Sequence, residues 1–183
     1  MAYTISNPQS GFLPINQFDS GIVSVYNANT GSATTTPTPP MTPGMIVTAI
    51  DPTYGAGEFI LLPGCASTIV GSLVRYNATS FATTLLVNTT VQVMPVAVAM
   101  SANIVSTTWG WYQIAGQALI AKTAVILNPN VAVYISATAG KIKALASAGL
   151  QIMAARTGSA TTASASGTVV VFINRPHAQG QIT

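Results

Sequence analysis

The sequence predicts an all-β fold, a small barrel or sandwich with an extended N-terminal arm, and three observations lead to it. From residue 45 onward, short β-branched and aromatic runs alternate with clusters of Gly, Pro, Asn, Ser and Thr, a pattern typical of strands and turns. Six of the eleven prolines fall before residue 44, which favours an extended chain there. Charged residues make up only 5% of the chain and hydrophobic residues 49%. Neutral hydroxyl and amide groups must therefore cover the surface, which suits permanent contact with a partner.

Residues 1–44 are predicted to be an arm and linker. Thr30–Gly44 is rich in Thr and Pro, which predicts an extended linker without a core of its own. Two apolar clusters precede it, too sparse for a domain and too apolar for a solvated tail. We predict that they dock on the protein's own body, on a neighbouring subunit or on another protein of an assembly. The predicted partner-contacting residues are Phe12, Leu13, Ile15, Ile22, Val23, Val25 and Tyr26.

The body is predicted to span residues 45–176, with a C-terminal tail at 177–183. Its strand candidates combine β-branched or aromatic residues with flanking turn signals. They are Met45–Ala49, Glu58–Leu62, Leu73–Tyr76, Thr84–Val87, Val91–Met100, Gly110–Ile120, Val131–Ser136, Lys141–Leu145 and Thr168–Asn174.

The clearest predicted hairpin joins Val131–Ser136 to Lys141–Leu145 through a short connection ending in Gly140. Lys141 and Lys143 alternate with Ile142, as a half-exposed strand requires. Ala148–Ala155 fits a helical turn as well as a strand, but its flanking glycines and neighbouring strands favour a strand.

Charge and targeting signals exclude several partner classes. The net charge is +3, but the cations are scattered and form no basic run that could track phosphates, so we expect no nucleic-acid partner. Neither a signal-like N-terminus nor an apolar run of roughly 18 residues is present, so we expect a soluble protein made in a cytoplasm, without a membrane partner. The single cysteine, Cys65, has no disulfide partner within the chain and is expected to be a small buried hydrophobe.

Groups that could support catalysis are few. The chain has one histidine, His177, and three acids, Asp19, Asp51 and Glu58. His177 lies near the C-terminus, where exposure and mobility are usual, and no Gly-x-Ser-x-Gly elbow accompanies any serine. Neither Cys65 nor His177 has a like neighbour at metal-ligand spacing. We therefore expect no enzymatic activity, no cofactor and no metal site.

Three aromatic residues, Trp109, Trp111 and Tyr112, lie close together in one predicted strand. Such rings could form a platform that stacks on sugars. Packing in a core or interface is the favoured interpretation, because the residues lie within a strand pattern.

Several motifs follow one another between Gly44 and Pro176: Ile46–Asp51 with Gly57–Ile60, then Pro95–Met100, Trp109–Gly116, Val131–Ser136 and a closing Val169–Pro176. In this order the body resembles the capsid decoration, or cement, proteins of tailed phages. The resemblance implies a small β-barrel or β-tulip, often trimeric, that sits where capsomers meet and carries neither a catalytic site nor a cofactor.

The resemblance also implies a function. It implies a virion structural protein that binds the major capsid protein on the outer surface of the capsid and stabilises the shell. The long Pro/Thr-rich N-terminal part departs from the compact members of this group. A head-fibre or tail-adhesin component that binds host glycans is therefore the alternative.

Overall fold

The computed structural model describes residues 4–5, 17–19, 21–27, 32–39, 41–88, 93–161 and 167–180. All regular secondary structure in this part is strand, and nearly all pairing is antiparallel, so the predicted all-β class is confirmed. None of these residues forms a helix that could cross a bilayer. The strands are β1 (Thr4–Ile5), β2 (Gln17–Asp19), β3 (Gly21–Asn27), β4 (Ser32–Thr38), β5 (Ile46–Asp51), β6 (Gly55–Pro63), β7 (Leu73–Tyr76), β8 (Thr83–Leu85), β9 (Val96–Ala99), β10 (Thr108–Lys122), β11 (Ala132–Ile135), β12 (Ile142–Lys143), β13 (Gln151–Thr157) and β14 (Gly167–Ala178).

Strand β10 organises the main sheet. Its first half pairs with β6 and its second half with β14, both antiparallel. The change of partner follows a bulge between Gln113 and Ala115, next to Gly116 at φ 97°. A Cβ at Gly116 would lie 2.4 Å from the carbonyl oxygen of Ala56. Only glycine therefore combines this backbone conformation with so close an approach of β6.

The strand pairing returns to β10. β14 pairs with β13, β13 with β11, β11 with β12, and β12 with the end of β10. The largest hydrophobic cluster comes from these strands and from β7 and β9, together with Leu86 and Leu127 from the connections between strands. Its burial stabilises the fold by about 25 cal/mol per Å² of apolar surface. The choice between barrel, tulip and sandwich stays a prediction.

The predicted hairpin of Val131–Ser136 and Lys141–Leu145 is confirmed, although its second strand, β12, is shorter than predicted and extends only over Ile142–Lys143. β11 and β12 pair antiparallel, with Ile135 opposite Ile142. Ile142 is fully buried and both neighbouring lysines are half-buried, as their alternation predicts. The ambiguous segment Ala148–Ala155 is also a strand from Gln151 onward, namely β13.

Strand β9 is shorter than the predicted Val91–Met100. Residues 91–92 lie outside the described part, and β9 begins only at Val96. Pro95 precedes it and forms an isolated bridge with His177. Proline has no N–H to donate to a ladder, so it is suited to the first position of a strand.

The chain before residue 44 contains paired strands. β1 pairs with β5, and β2 pairs with the start of β10. β3 and β4 form a separate two-stranded sheet. The predicted linker Thr30–Gly44 is thus extended at Ser32–Thr38, but there it forms a ladder with β3.

The predicted tail at 177–183 begins inside β14. The ladder with β13 places His177 opposite Met153 and Ala178 opposite Ile152. The Gln179 amide also donates to the Gln151 carbonyl, at 2.9 Å. The backbone of His177 is therefore part of a sheet rather than of a free tail, and its side chain is exposed as expected.

Candidate interaction surface

The acidic side chains of the body have structural partners. The Asp51 carboxylate accepts hydrogen bonds from the backbone amides of Thr53 and Tyr54, at 2.7 and 3.0 Å, and so closes a turn. Glu58 accepts two from the Arg175 guanidinium, at 3.3 and 3.1 Å. This exposed ion pair contributes at most about 1 kcal/mol. Asp19, the third acid, is placed by the backbone pairing of β2 opposite Thr108.

The remaining reactive side chains lie apart in the fold. His177 is exposed on β14, whereas Cys65 follows β6. Cys65 is half-buried rather than buried as predicted, and its Sγ lies 3.2 Å from the Thr68 hydroxyl. Across the described ranges, no three His, Cys, Asp or Glu side chains gather into a group that could hold a metal.

The aromatic side chains of β10 do not form a sugar platform. Trp111 is 0% exposed and Tyr112 is 1% exposed. Consecutive strand residues point to opposite faces, and the two rings accordingly pack in different hydrophobic clusters. Trp109 is half-buried against the Trp111 cluster. Core packing, the favoured interpretation, is confirmed for Trp111 and Tyr112.

Two loops meet at the end of the sheet where β10 begins. Residues 64–72 connect β6 to β7, and residues 100–107 connect β9 to β10. Because β6 and β9 flank β10 and both run antiparallel to it, both loops leave the sheet at the same end. The Cys65 amide donates to the Asn103 carbonyl at 3.0 Å. We call residues 64–72 and 100–107 together the two-loop surface.

A buried amide, Asn103, holds the two loops together. It is 0% exposed, and its side chain lies within hydrogen-bonding distance of the Thr108 hydroxyl and the Tyr112 phenol. With its oxygen toward the amides of Gly64 and Gly110, at 3.1 and 3.3 Å, its nitrogen donates to Thr108. One side chain thereby joins both loops to β10.

Two further bonds complete this network. The Thr108 hydroxyl donates to the Val105 carbonyl at 2.7 Å. The Tyr112 hydroxyl lies 3.2 Å from the Pro63 carbonyl and 3.3 Å from the Asn103 side-chain oxygen, and it donates its single proton to one of them. Burial raises the pKa of Tyr112 well above its ordinary value, so the phenol keeps its proton.

Gly64 shows how closely the loops approach. A Cβ at this position would lie 2.4 Å from the Val105 carbonyl oxygen and 2.6 Å from the Asn103 carbonyl oxygen. Both atoms belong to the backbone, so a side chain here would force the loops apart. The two-loop surface is therefore preformed, with little conformational freedom to lose when a partner binds.

Each loop exposes a pair of adjacent aliphatic side chains. Ile69 and Val70 are 51% and 53% exposed, and Ile104 and Val105 are 53% and 46% exposed. Neither loop contains a charged residue. Adjacent exposed apolar side chains without nearby charged residues in the same loop are typical of protein contact sites. The arrangement is chemically suited to being covered by another protein.

Sequence reasoning did not find this surface. The sequence did carry one signal: each of the two loops contains an aliphatic pair among Ser, Thr, Ala and Gly. A connecting loop needs only such small and polar residues, so the aliphatic pairs require another explanation. Asn103 gave no signal, because its role depends on the packing of Gly64 from a distant part of the chain.

Of the residues predicted to contact a partner, some lie outside the described residues and the others lie in β3. Phe12, Leu13 and Ile15 lie outside the described residues. The other predicted contacts, Ile22, Val23, Val25 and Tyr26, all belong to β3, whose register partner is β4. Their contact with a partner stays a prediction. β2 pairs with β10 at Thr108–Gly110, so the arm passes directly beside the two-loop surface.

Comparison of the chain with protein-family models, with curated proteins and with solved structures gives no match.

Proposed function

We propose that this protein is a structural component of a tailed-phage particle that binds the outer surface of the capsid and stabilises the shell. The observation that carries the proposal is the two-loop surface, which is uncharged, exposes four aliphatic side chains and is cross-linked through Asn103. A catalytic role would not explain why each of two linked loops exposes a pair of adjacent aliphatic side chains.

The physical mechanism is burial of apolar surface against the major capsid protein. Each Å² removed from water contributes about 25 cal/mol, and the uncharged loops have no ions to desolvate. A subunit that contacts two neighbouring capsid proteins binds the closed shell more tightly than it binds dissociated capsid proteins. By mass action it then stabilises the closed state.

The order of motifs between Gly44 and Pro176 supports the same proposal through its resemblance to capsid decoration proteins. That resemblance also favours a homotrimer, in which three surfaces would bind with an effective affinity greater than that of one. The location that follows is the capsid surface of the virion, after synthesis in the host cytoplasm.

Two measurements on capsids prepared without this protein test the proposal. The purified protein should co-sediment with such shells and saturate at a fixed ratio to the capsid protein. It should also raise the temperature at which the shells rupture. Failure to co-sediment at a large molar excess of the protein would overturn the proposal.

A further inference from the structure

The hairpin of β3 and β4 is a sheet of two strands. Seven residues of each strand pair in one continuous register, from Gly21 opposite Thr38 to Asn27 opposite Ser32. In the part of the chain that the structure describes, β3 and β4 pair only with each other. A two-stranded sheet is marginally stable in water, and a further strand stabilises it.

The hairpin sequence carries none of the charged residues that commonly prevent an edge strand from pairing with another chain. Residues 21–38 contain no charged side chain, and lysines or other charges are what natural edge strands commonly use to prevent association. The two edges differ, however. β4 carries Pro37, which has no N–H to donate, whereas β3 contains no proline. β3 is therefore the edge better able to accept another strand.

The sequence of β3 is nearly symmetric about Ser24, reading Ile-Val-Ser-Val-Tyr from residue 22 to 26. An antiparallel copy with Ser24 opposite Ser24 would set each Val23 opposite Val25 and each Ile22 opposite Tyr26. β-branched and aromatic pairs of this kind contribute about 0.2–1 kcal/mol each relative to alanine pairs. No like charges would meet, because the strand carries none.

We propose that β3 pairs with β3 of a second copy of this chain across a two-fold axis, in the order β4–β3–β3–β4. A two-fold contact uses the same surface on both subunits, as the near-symmetry about Ser24 requires. The contact needs no capsid, so it can hold or fail independently of the proposed function. It also differs from a trimer interface, and the two can coexist in one assembly.

Cysteine cross-linking tests both the contact and its register. In a Cys65→Ser background, Ser24→Cys would place two sulfurs on directly opposed residues, whose Cα atoms lie about 4.5–5.5 Å apart in an antiparallel pair. That separation lies within the range of disulfides. Mild oxidation should therefore link most Ser24→Cys chains into pairs, as seen on a non-reducing gel.

Matched variants give the controls. Thr35→Cys lies opposite Ser24 within the hairpin, on the strand away from the proposed contact, and should remain mostly unlinked. Val23→Cys should link poorly with itself but well when mixed with Val25→Cys. Circular dichroism checks that each variant folds as the parent does.

Native mass spectrometry of the Cys65→Ser parent supplies a measurement that does not depend on the new cysteines. We expect it to contain pairs of chains or multiples of pairs. A strictly monomeric parent would overturn the proposal. Equal cross-linking of Thr35→Cys and Ser24→Cys would also overturn it. The same holds if β3 is found paired with a different protein rather than with a second copy of this chain.

Discussion

At the scale of single residues, Asn103 determines how the two-loop surface is held. Its amide is buried among the backbone amides of Gly64 and Gly110 and the side chains of Thr108 and Tyr112. Each of these groups lost its water on folding. Removing the amide would delete its hydrogen bonds and leave a small buried cavity, although Thr108 and Tyr112 can still donate to the Val105 and Pro63 carbonyls. Each lost hydrogen bond costs about 0.5–1.5 kcal/mol, and the cavity adds to that cost.

Asn103→Ala is therefore expected to lower the free energy of unfolding by about 2–4 kcal/mol. Urea denaturation followed by fluorescence measures the change. Asn128→Ala is the matched control, because Asn128 is exposed, and it should change stability by less than about 0.5 kcal/mol. Equal effects of the two substitutions would contradict the structural role of Asn103.

Tyr112 makes stability depend on alkaline pH. Burial raises the pKa of its phenol in the folded protein, while the unfolded chain titrates near 10. The folded state thus keeps a proton that the unfolded state loses. Stability from this group is fully present below about pH 10 and falls above it, by up to about 1.4 kcal/mol per pH unit.

The measurement is urea denaturation between pH 8 and pH 11.5 of the wild type and Tyr112→Phe. The variant should be less stable at pH 8, because it loses the hydrogen bond that the buried phenol donates to the Pro63 carbonyl or the Asn103 side chain. Above about pH 10 its free energy of unfolding should fall less steeply with pH than that of the wild type. The reason is that unfolding of the variant no longer releases the Tyr112 proton. Parallel curves would show that the phenol does not titrate as its burial predicts.

At the scale of elements, the bend of β10 depends on Gly116. Alanine there would meet both an unfavourable φ of 97° and the Ala56 carbonyl. We expect Gly116→Ala to lower stability by more than about 2 kcal/mol, measured by urea denaturation. A smaller loss would mean that β6 can move away at little cost.

Two other glycines separate the causes of that loss. Gly55 has φ 74°, but no atom would lie within 4 Å of a Cβ added there, so Gly55→Ala tests the backbone conformation alone, at about 1 kcal/mol. Gly167 also has open space and no positive φ. Gly167→Ala should therefore be nearly neutral.

The elements that can be predicted from sequence are those whose own residues carry the pattern. The bounds predicted for β7, Leu73–Tyr76, are the observed ones. The β11–β12 hairpin follows from the alternation of lysines with Ile142. These signals are local, because alternation along one strand records which of its faces is buried.

Pairing between distant segments cannot be predicted in this way. No local signal places β2 on β10, or marks Ser32–Thr38 as the partner of β3 rather than as a free linker. The C-terminal end of β14 escapes prediction for a similar reason. Proximity to the terminus suggests a tail, whereas β13 and Pro95 hold His177 in the sheet.

At the scale of the whole molecule, the scarcity of charged residues is accompanied by exposed apolar side chains and by uncharged strands. The body buries many large apolar side chains in clusters along β10 but exposes others, among them an aliphatic pair on each of the two linked loops. The arm adds strands to the body and contains an uncharged hairpin. These features together favour a protein whose exposed apolar and uncharged surfaces are covered by other protein subunits.

The most direct test of the proposed function compares two variants in binding to capsids prepared without the protein. One replaces Ile69, Val70, Ile104 and Val105 by Ser. The control replaces Ile126 and Leu145 by Ser, since these side chains are also exposed, at 56% and 72%, but lie outside the two-loop surface.

Both variants should unfold within a few degrees of the wild type, as differential scanning calorimetry can verify. We expect the two-loop variant to bind shells at least about tenfold more weakly, a loss of about 1.4 kcal/mol, while the control binds like the wild type. Equal binding of the two-loop variant and the wild type would contradict the claim that this surface is the one the capsid covers.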